Sequence, residues 1–287
     1  MEHLPFLQLS QAHLQVLETC PRKFQYLFLD SLMLPQPSLV SENQVLGRQF
    51  HQLMQQRELG LDIQPLLDDN PKLREWFQFF QDAPPPLLTG QWRQSEYQCT
   101  LELEGFTLIA VYDLLIRDTS TAQIVDWKTY PRPPRVQLLQ QHWQTRLYLF
   151  IAAEALGYPP DRVSMLYWFA ELPERSASRS RENWLSISYS ETLHRQTRET
   201  LTKQLTNLRG WVKDFIEHRQ DFPQVPLADP KCGSNAQPCS FASACQRYPD
   251  RPDRSNTALA DLTDLAAIAE LPLDPPMGPP MGTPSID

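Results

Sequence analysis

The spacing of apolar residues changes along the chain and separates helical regions from extended ones. Between residues 42 and 59, Val45, Leu46, Phe50, Leu53 and Met54 recur at intervals typical of an amphipathic helix. Between residues 92 and 127 the pattern instead indicates strands. The pattern predicts helices over 10–19, 22–29, 42–59 and 72–81, strands over 92–103, 106–116 and 123–127, a long helix over 136–156, strands over 162–170 and 184–190, and a helix over 191–218.

The order of these elements predicts the fold class. Helices come first, then the order β-β-β-α-β, then a last helix, which is typical of an α/β fold around a mixed sheet. A chain of 287 residues can bury a sizeable core. We expect residues 1–250 to form one domain and residues 251–287, which are proline-rich and poor in core-forming side chains, to form a largely disordered tail.

Charge and composition narrow the classes of function. The 26 basic and 34 acidic residues give a net charge of −8, so any binding of DNA must use a local basic surface. The sequence has no apolar run long enough to cross a membrane and no signal peptide at its first residues, so we expect a cytoplasmic protein. Five cysteines in a reducing compartment favour ligation of a metal or cluster over disulfides. No GxxxxGK[ST] motif of a helicase motor is present.

Three ionisable residues interrupt the apolar strands in the segment GFTLIAVYDLLIRDTSTAQIVDWKT. Asp113 lies inside one strand, while Asp126 and Lys128 end the next strand on one face. If the strands form a hairpin, Asp113 approaches the same face. Such costly burial is explained if the carboxylates hold a divalent cation and the lysine faces the attacking water or the scissile phosphate. A buried Asp–Lys ion pair beside a turn aspartate is the alternative, and these residues alone do not separate the two.

The pattern D-(x)12-D-W-K resembles the core of the PD-(D/E)XK nuclease superfamily, in its RecB-type branch, which often has GxxD followed by DYKT. Asp113, Asp126, Lys128 and Thr129 fall on this pattern. Tyr112 stands where the proline of the superfamily's name would be, and this branch commonly lacks that proline.

Two flanking motifs strengthen the resemblance. Gly47 to His51 resembles the upstream GxxxH helix of the branch, whose histidine adds a metal ligand. Gln144 to Tyr148 fits its QxxxY motif, and the i,i+4 spacing places the amide and the phenol on one helix face. Glu96 is similar to an acidic residue that some relatives use near the metal.

The resemblance implies metal-dependent hydrolysis of phosphodiester bonds in DNA. It implies that Mg²⁺ or Mn²⁺ is bound by His51, Asp113, Asp126 and the backbone carbonyl of Trp127. Lys128 would position or activate the water and stabilise charge on the phosphorus, and Gln144 and Tyr148 would orient the DNA. We expect an exonuclease that acts on single-stranded DNA ends in repair, recombination or defence, alone or with a separate helicase. The alternative is a non-catalytic iron–sulfur protein of the nuclease fold that binds DNA or a helicase partner.

Four cysteines form a second candidate site. Cys20 lies near the start of the chain, and Cys232, Cys239 and Cys245 lie near its end. Four thiolates can hold Zn²⁺ or a [4Fe–4S] cluster. One early and three late cysteines resemble the iron–sulfur nucleases of this branch, the AddB-type subunits and CRISPR-associated exonucleases, which implies a [4Fe–4S] cluster with Zn²⁺ as the alternative. Cys232 departs from the pattern, because six residues separate it from Cys239 where relatives have two; unrelated free cysteines are the remaining interpretation.

Basic and aromatic residues near these motifs are candidates for contacts with nucleic acid. We expect the DNA phosphates to be contacted by Arg22, Lys23, Arg132, Arg135 and Arg146. Three aromatic residues could stack on bases, although packing in the core is the default expectation for each: Trp143, Tyr167 and Trp168. Cys99, at alternate spacing in a strand, is expected in the core.

Overall fold

The computed structural model describes residues 8–31, 42–131, 136–171, 183–232 and 239–247. Within these residues, six strands form one mixed sheet: β1 (Gln8–Leu9), β2 (Trp92–Leu103), β3 (Phe106–Arg117), β4 (Ala122–Pro131), β5 (Val163–Glu171) and β6 (Trp184–Ser188). The α-helices are α1 (Gln11–Thr19), α2 (Pro21–Phe24), α3 (Glu42–Glu58), α4 (Gln64–Asp69), α5 (Pro71–Asp82), α6 (Val136–Gln141), α7 (Trp143–Leu156) and α8 (Glu191–His218), and a π-helical turn, Gln25–Leu29, follows α2. The predicted α/β fold with a mixed sheet is confirmed.

Strand β3 organises the sheet because both of its edges are paired. On one edge it forms a long antiparallel hairpin with β2, closed by Glu104 and Gly105, whose φ angles of 53° and 84° suit a tight turn between twisted strands. On the other edge it pairs with β1 at residues 107–108 and with β4 at residues 114–117. Strand β5 then pairs parallel with β4 and antiparallel with β6.

Helices cover both faces of the sheet, as the near-continuous apolar strands require. One face packs under α1, α7 and α8, where Leu147 and Leu205 are fully buried. The opposite face packs under α3, α4 and α5, where Phe50 and Trp76 meet edge to face with ring centroids 5.7 Å apart. Cys99 is 5 % exposed and lies in the first of these cores, as expected.

Several predicted boundaries are wrong. The helix predicted over 136–156 is two helices, because the backbone of His142 is extended (φ −67°, ψ 141°) and its ring accepts a hydrogen bond from the Gln144 N–H at the start of α7. Strand β4 continues to Pro131, and β1 and α4 were not predicted because each is too short to show a period.

Other predictions fall where the structure gives no description. The tail at 251–287 and the domain boundary at 250 lie outside the described residues, as do Arg132 and Arg135. Within the described residues, no helix combines the length and the apolar character needed to span a membrane.

Candidate active site

The candidate active site lies where strands β3 and β4 separate. Their last antiparallel pair is Leu114 with Val125, and the next residues on the two strands are Asp113 and Asp126. The backbone N–H of Trp127 donates to Asp113 Oδ2 at 2.7 Å. The Asp113 carboxylate therefore accepts a hydrogen bond from the β4 backbone at the point where the two strands diverge. This hydrogen bond fixes the position of the carboxylate.

An irregularity in the β2–β3 hairpin adds a third carboxylate. Glu96 lies between Ser95 and Tyr97, which pair with Leu114 and Tyr112, so it is opposite Asp113. Its φ of 50° is left-handed, which is unusual and strained for a side chain other than glycine. The alternation of side chains along β3 changes at this point. Tyr112 and Leu114 are two residues apart, a spacing that normally places side chains on one face, but they enter the cores on opposite faces of the sheet.

Helix α3 brings His51 to the same place. An ideal Cβ on Gly47 would lie 3.1 Å from Thr129 Oγ1 of β4, so glycine allows the close approach of helix and strand. His51, one turn later on the same helix face, places its Nδ1 3.3 Å from Asp113 Oδ1. Ligand atoms of His51, Glu96 and Asp113 all lie within 4.8 Å of one another.

These three side chains fit a divalent cation. Carboxylate oxygens are the ligands that Mg²⁺ and Mn²⁺ prefer, and imidazole suits the softer of the first-row metals. Burial would raise the pKa of the Asp113 carboxyl, but the opposing effects of His51, the Trp127 N–H and Lys128 outweigh it and bring the pKa below its usual value. Asp113 is therefore ionised at neutral pH, as a metal ligand must be.

Asp126, Lys128 and Gln144 form a closed, buried triangle beside this group. Lys128 Nζ lies 2.8 Å from Asp126 Oδ2 and 3.0 Å from Gln144 Oε1, and Gln144 Nε2 donates to Asp126 Oδ1 at 2.6 Å. The side chains of Lys128 and Asp126 are only 4 % and 2 % exposed. The buried Asp–Lys ion pair that the alternative interpretation expected is therefore present, between Asp126 and Lys128. Asp113, however, is a strand residue next to His51 and not a turn aspartate.

Tyr148 lies one turn after Gln144 on the same face of α7. It is buried, and its hydroxyl interacts with the Gln144 side chain. Burial and the charges of Asp126 and Asp113 raise its pKa, so the phenol stays protonated. The structure places Tyr148 behind the carboxylates and not at the surface.

The described basic residues lie in varied surroundings. Arg22 pairs with Asp221, with Nη1 2.8 Å from Oδ2, and thereby joins the two ends of the described chain. Lys23 lines a cavity shared with the cysteines. The guanidinium of Arg146 lies 4.0 Å from the ring centroid of Trp143. Three aromatic residues considered for base stacking are core residues at 1 % exposure or less: Trp143, Tyr167 and Trp168.

The four predicted cysteines line one cavity. Cys20 precedes α2, and Cys239 donates its backbone N–H to the carbonyl of Cys232 at 3.1 Å. Burial raises the pKa of the Cys245 thiol, and the neighbouring thiols of Cys20 and Cys239 raise it further. Arg247 Nη1 lies 2.7 Å from Cys232 Sγ, so a cation stands against the cysteine whose spacing departs from the pattern.

Comparison with known proteins identifies the family. No curated protein matches the chain. The solved structures similar to it include a provisionally assigned exonuclease from Eubacterium rectale (12 % identity, 90 % of this chain and 93 % of that chain covered, TM-score 0.49) and SSO0001 (15 % identity, 77 % and 90 % covered, TM-score 0.36). The model of the PD-(D/E)XK nuclease superfamily matches residues 8–246. Because this match spans most of the chain, the chain belongs to the PD-(D/E)XK nuclease superfamily.

Proposed function

We propose that this chain is a divalent-metal-dependent nuclease that hydrolyses phosphodiester bonds in DNA, as an exonuclease on single-stranded ends. The observation that carries the proposal is the convergence of His51, Glu96 and Asp113 within 4.8 Å, beside a buried lysine and a second carboxylate. Membership of a nuclease superfamily supports the same reaction class.

Each residue has a role in the proposed reaction. His51, Glu96 and Asp113 would hold Mg²⁺ or Mn²⁺, with Asp126 and the carbonyl of Trp127 as the remaining protein ligands. A bound divalent cation supplies Lewis acidity and lowers the pKa of its bound water. Lys128, whose side chain is only 4 % exposed, would position the attacking water and stabilise charge that develops on the phosphate. Gln144 orients both Lys128 and Asp126 through one amide.

The test is degradation of end-labelled single-stranded DNA by anaerobically purified protein with Mn²⁺. Lys128→Ala should reduce cleavage on the order of 100- to 1,000-fold, because it removes an electrostatic group in a desolvated site. Lys213→Ala, on an exposed position of α8, is the matched control and should cleave as the wild type does. Thermal unfolding of each variant is needed because Lys128→Ala leaves Asp126 buried without its cation.

Glu96→Gln provides a second test with less risk to folding, because Glu96 is exposed. We expect it to weaken Mn²⁺ binding measured by calorimetry and to shift the metal concentration that gives half-maximal cleavage. DNA binding without hydrolysis under Mg²⁺, Mn²⁺ and Ca²⁺ alike would instead support the non-catalytic binding protein.

We further propose that Cys20, Cys232, Cys239 and Cys245 hold a [4Fe–4S] cluster, with Zn²⁺ as the alternative. Their shared cavity and the contact of Arg247 with Cys232 Sγ support a common ligand. Analysis of iron, sulfide and zinc in anaerobically purified protein distinguishes the [4Fe–4S] cluster from Zn²⁺. Cys232→Ser should lower the amount of bound metal, whereas Cys99→Ser, in the core, should not. A reducing cytoplasm suits four thiolates.

A partner that unwinds duplex DNA is part of the same proposal. A nuclease that acts on single-stranded ends needs another activity to expose them, and a separate helicase would supply it. Degradation of duplex DNA should then require an added ATP-dependent helicase, while degradation of single strands should not.

A further inference from the structure

We propose that Tyr130 is the platform on which a nucleobase of a single-stranded substrate stacks beside the scissile phosphate. This inference rests on the proposed nuclease function and adds to it a contact that selects the form of the nucleic acid. Tyr130 stands two residues after Lys128 in β4, near the end of that strand.

Ring contacts place Tyr130 on the same side of the sheet as Lys128. The Tyr130 ring packs edge-on against Phe169, with centroids 5.9 Å apart. The Phe169 ring lies 6.4 Å from that of Tyr167, and Lys128 Nζ lies 5.7 Å from the Tyr167 centroid. Thr129 lies between Lys128 and Tyr130 in the chain, and its side chain faces α3 on the other side of the sheet. The three rings therefore form a continuous support that runs from the buried lysine to Tyr130.

Exposure distinguishes Tyr130 from the other aromatic residues of the site. It is 42 % exposed, and among the described large apolar residues with comparable exposure the others are all aliphatic. Its neighbours Phe169 and Tyr167 are buried. An edge-on contact with Phe169 holds the tyrosine in place while part of its surface stays in solvent, and such a fixed ring can stack on a base with a small loss of conformational freedom.

A contact of this kind adds affinity that the protein's own charges do not supply. Glu96, Asp113 and Asp126 surround one lysine and one histidine, and the whole chain carries −8. The side chains of the site therefore attract phosphates less than a basic groove does, and the proposed divalent cation would act on the scissile phosphate rather than along the strand. Stacking does not depend on charge, and one base on an aromatic ring changes affinity roughly 5- to 100-fold.

Stacking on Tyr130 also selects the form of the substrate. Both faces of a base inside a duplex are covered by neighbouring bases, so the ring can engage a base only in a single strand or at a frayed end. The geometry therefore favours single-stranded DNA without any contact that reads sequence.

The test compares the wild type with Tyr130→Leu and Tyr130→Phe on oligonucleotides that carry one abasic residue at successive positions. Dissociation constants measured with Ca²⁺ and kcat/KM measured with Mn²⁺ are the readouts. We expect Tyr130→Leu to weaken binding of single strands roughly 5- to 100-fold and Tyr130→Phe to bind as the wild type does, because the ring is retained. One abasic position should weaken the wild type by the same factor and leave Tyr130→Leu unchanged. A 2-aminopurine at that position should lose fluorescence on binding the wild type and Tyr130→Phe but not Tyr130→Leu.

Two failures are distinguishable. The stacking inference is overturned if the wild type cleaves single strands and Tyr130→Leu binds and cleaves them equally well. It is also overturned if every abasic position affects the two proteins alike. Both results leave the proposed function intact. A wild type that cleaves no nucleic acid with any divalent metal overturns the proposed function itself.

Discussion

At the scale of single residues, the site combines a group suited to bind a cation with a buried pair of opposite charges. Removing water from Lys128 and Asp126 carries a large desolvation penalty that a single Coulomb contact does not reliably offset. Gln144 supplies hydrogen bonds to both partners at 3.0 and 2.6 Å, which satisfies atoms that water cannot reach. Gln144 is therefore a positioning residue, and its removal should affect catalysis through Lys128 and Asp126.

Gln144→Ala should lower kcat roughly 10- to 100-fold, because hydrogen bonds to charged groups are worth about 1.5–3 kcal/mol each. Gln144→Glu replaces the amide donor to Asp126 with a carboxylate oxygen, and the repulsion between like charges should lower kcat as well. Gln141→Ala, on the exposed side of α6, is the control. Rates equal to those of the wild type would show that the amide does not orient the site.

The residues of the site differ in how far the sequence could reveal them. Asp113, Asp126 and Lys128 stand out because charges are rare inside apolar strands. Glu96 could be noted as an acidic residue but not placed, since its left-handed backbone comes from a local shift in pairing that leaves no pattern. Tyr130 was missed because a tyrosine at the end of a strand looks the same whether its ring is buried or exposed.

At the scale of elements, long periodic segments were predicted well and short or interrupted ones were not. Strand β3 and helix α8 match their predicted spans within a residue. The interruption at His142 was invisible, because α6 and α7 both continue the same apolar spacing across it. The extended backbone of His142, whose ring caps the start of α7, makes that break.

Helix α3 carries His51 and approaches β4 closely at Gly47, which gives an element-scale prediction. Gly47→Ala adds a Cβ 3.1 Å from Thr129 Oγ1, and moving the helix by a few tenths of an ångström displaces His51. Because alanine favours helix by up to about 1 kcal/mol over glycine, the melting temperature should not fall, whereas Mn²⁺ affinity should fall roughly tenfold.

The matched control for α3 is the double variant Gly47→Ala with Thr129→Ala, which removes the oxygen that the new Cβ would meet. Calorimetric Mn²⁺ affinity should return close to the wild-type value. Weak binding in both variants would mean that the contact with Thr129 does not set the position of the helix.

The start of α1 contains a histidine with a pH-dependent role in stability. The Ser10 N–H donates to His13 Nδ1 at 3.2 Å, and the ring packs 4.4 Å from that of Phe28. Burial lowers the pKa of His13 to about 4 from 6.5. The unfolded chain therefore binds more protons between these values, so stability is retained above pH 6.5 and is lost as the pH falls towards 4.

His13→Gln should remove this pH dependence while keeping a side chain that can accept from the Ser10 N–H. Urea unfolding at pH 8 and pH 5 is the measurement. Between pH 8 and pH 5, the free energy of unfolding of the wild type should fall by about 2 kcal/mol more than that of the variant. An equal loss in both proteins would mean that His13 is not held neutral by the fold.

At the scale of the whole molecule, the two ends of the described chain are tied together on the side of α2. The Arg22 side chain donates to Asp221 Oδ2 at 2.8 Å and, through Nε, to the carbonyl of Phe222 at 2.7 Å. The Tyr26 hydroxyl donates to the carbonyl of Ala244 at 2.9 Å. The cavity lined by the four cysteines lies at the same junction, so a ligand bound there would add a further link between segments more than 200 residues apart in sequence.

The contacts of Arg22 at this junction predict that its substitution lowers the stability of the fold and leaves the binding of DNA nearly unchanged. Arg22 was predicted to contact phosphate, but its guanidinium is already engaged by Asp221 and Phe222 and its side chain is 13 % exposed. Arg22→Ala should therefore lower the free energy of unfolding by about 2–3 kcal/mol and change the dissociation constant for single-stranded DNA less than twofold. Arg22→Lys, which keeps the charge without the planar fork, should give an intermediate stability. Arg195→Ala, exposed on α8, should change stability by no more than about 0.5 kcal/mol. Weaker DNA binding by Arg22→Ala at unchanged stability would assign Arg22 to the nucleic-acid surface.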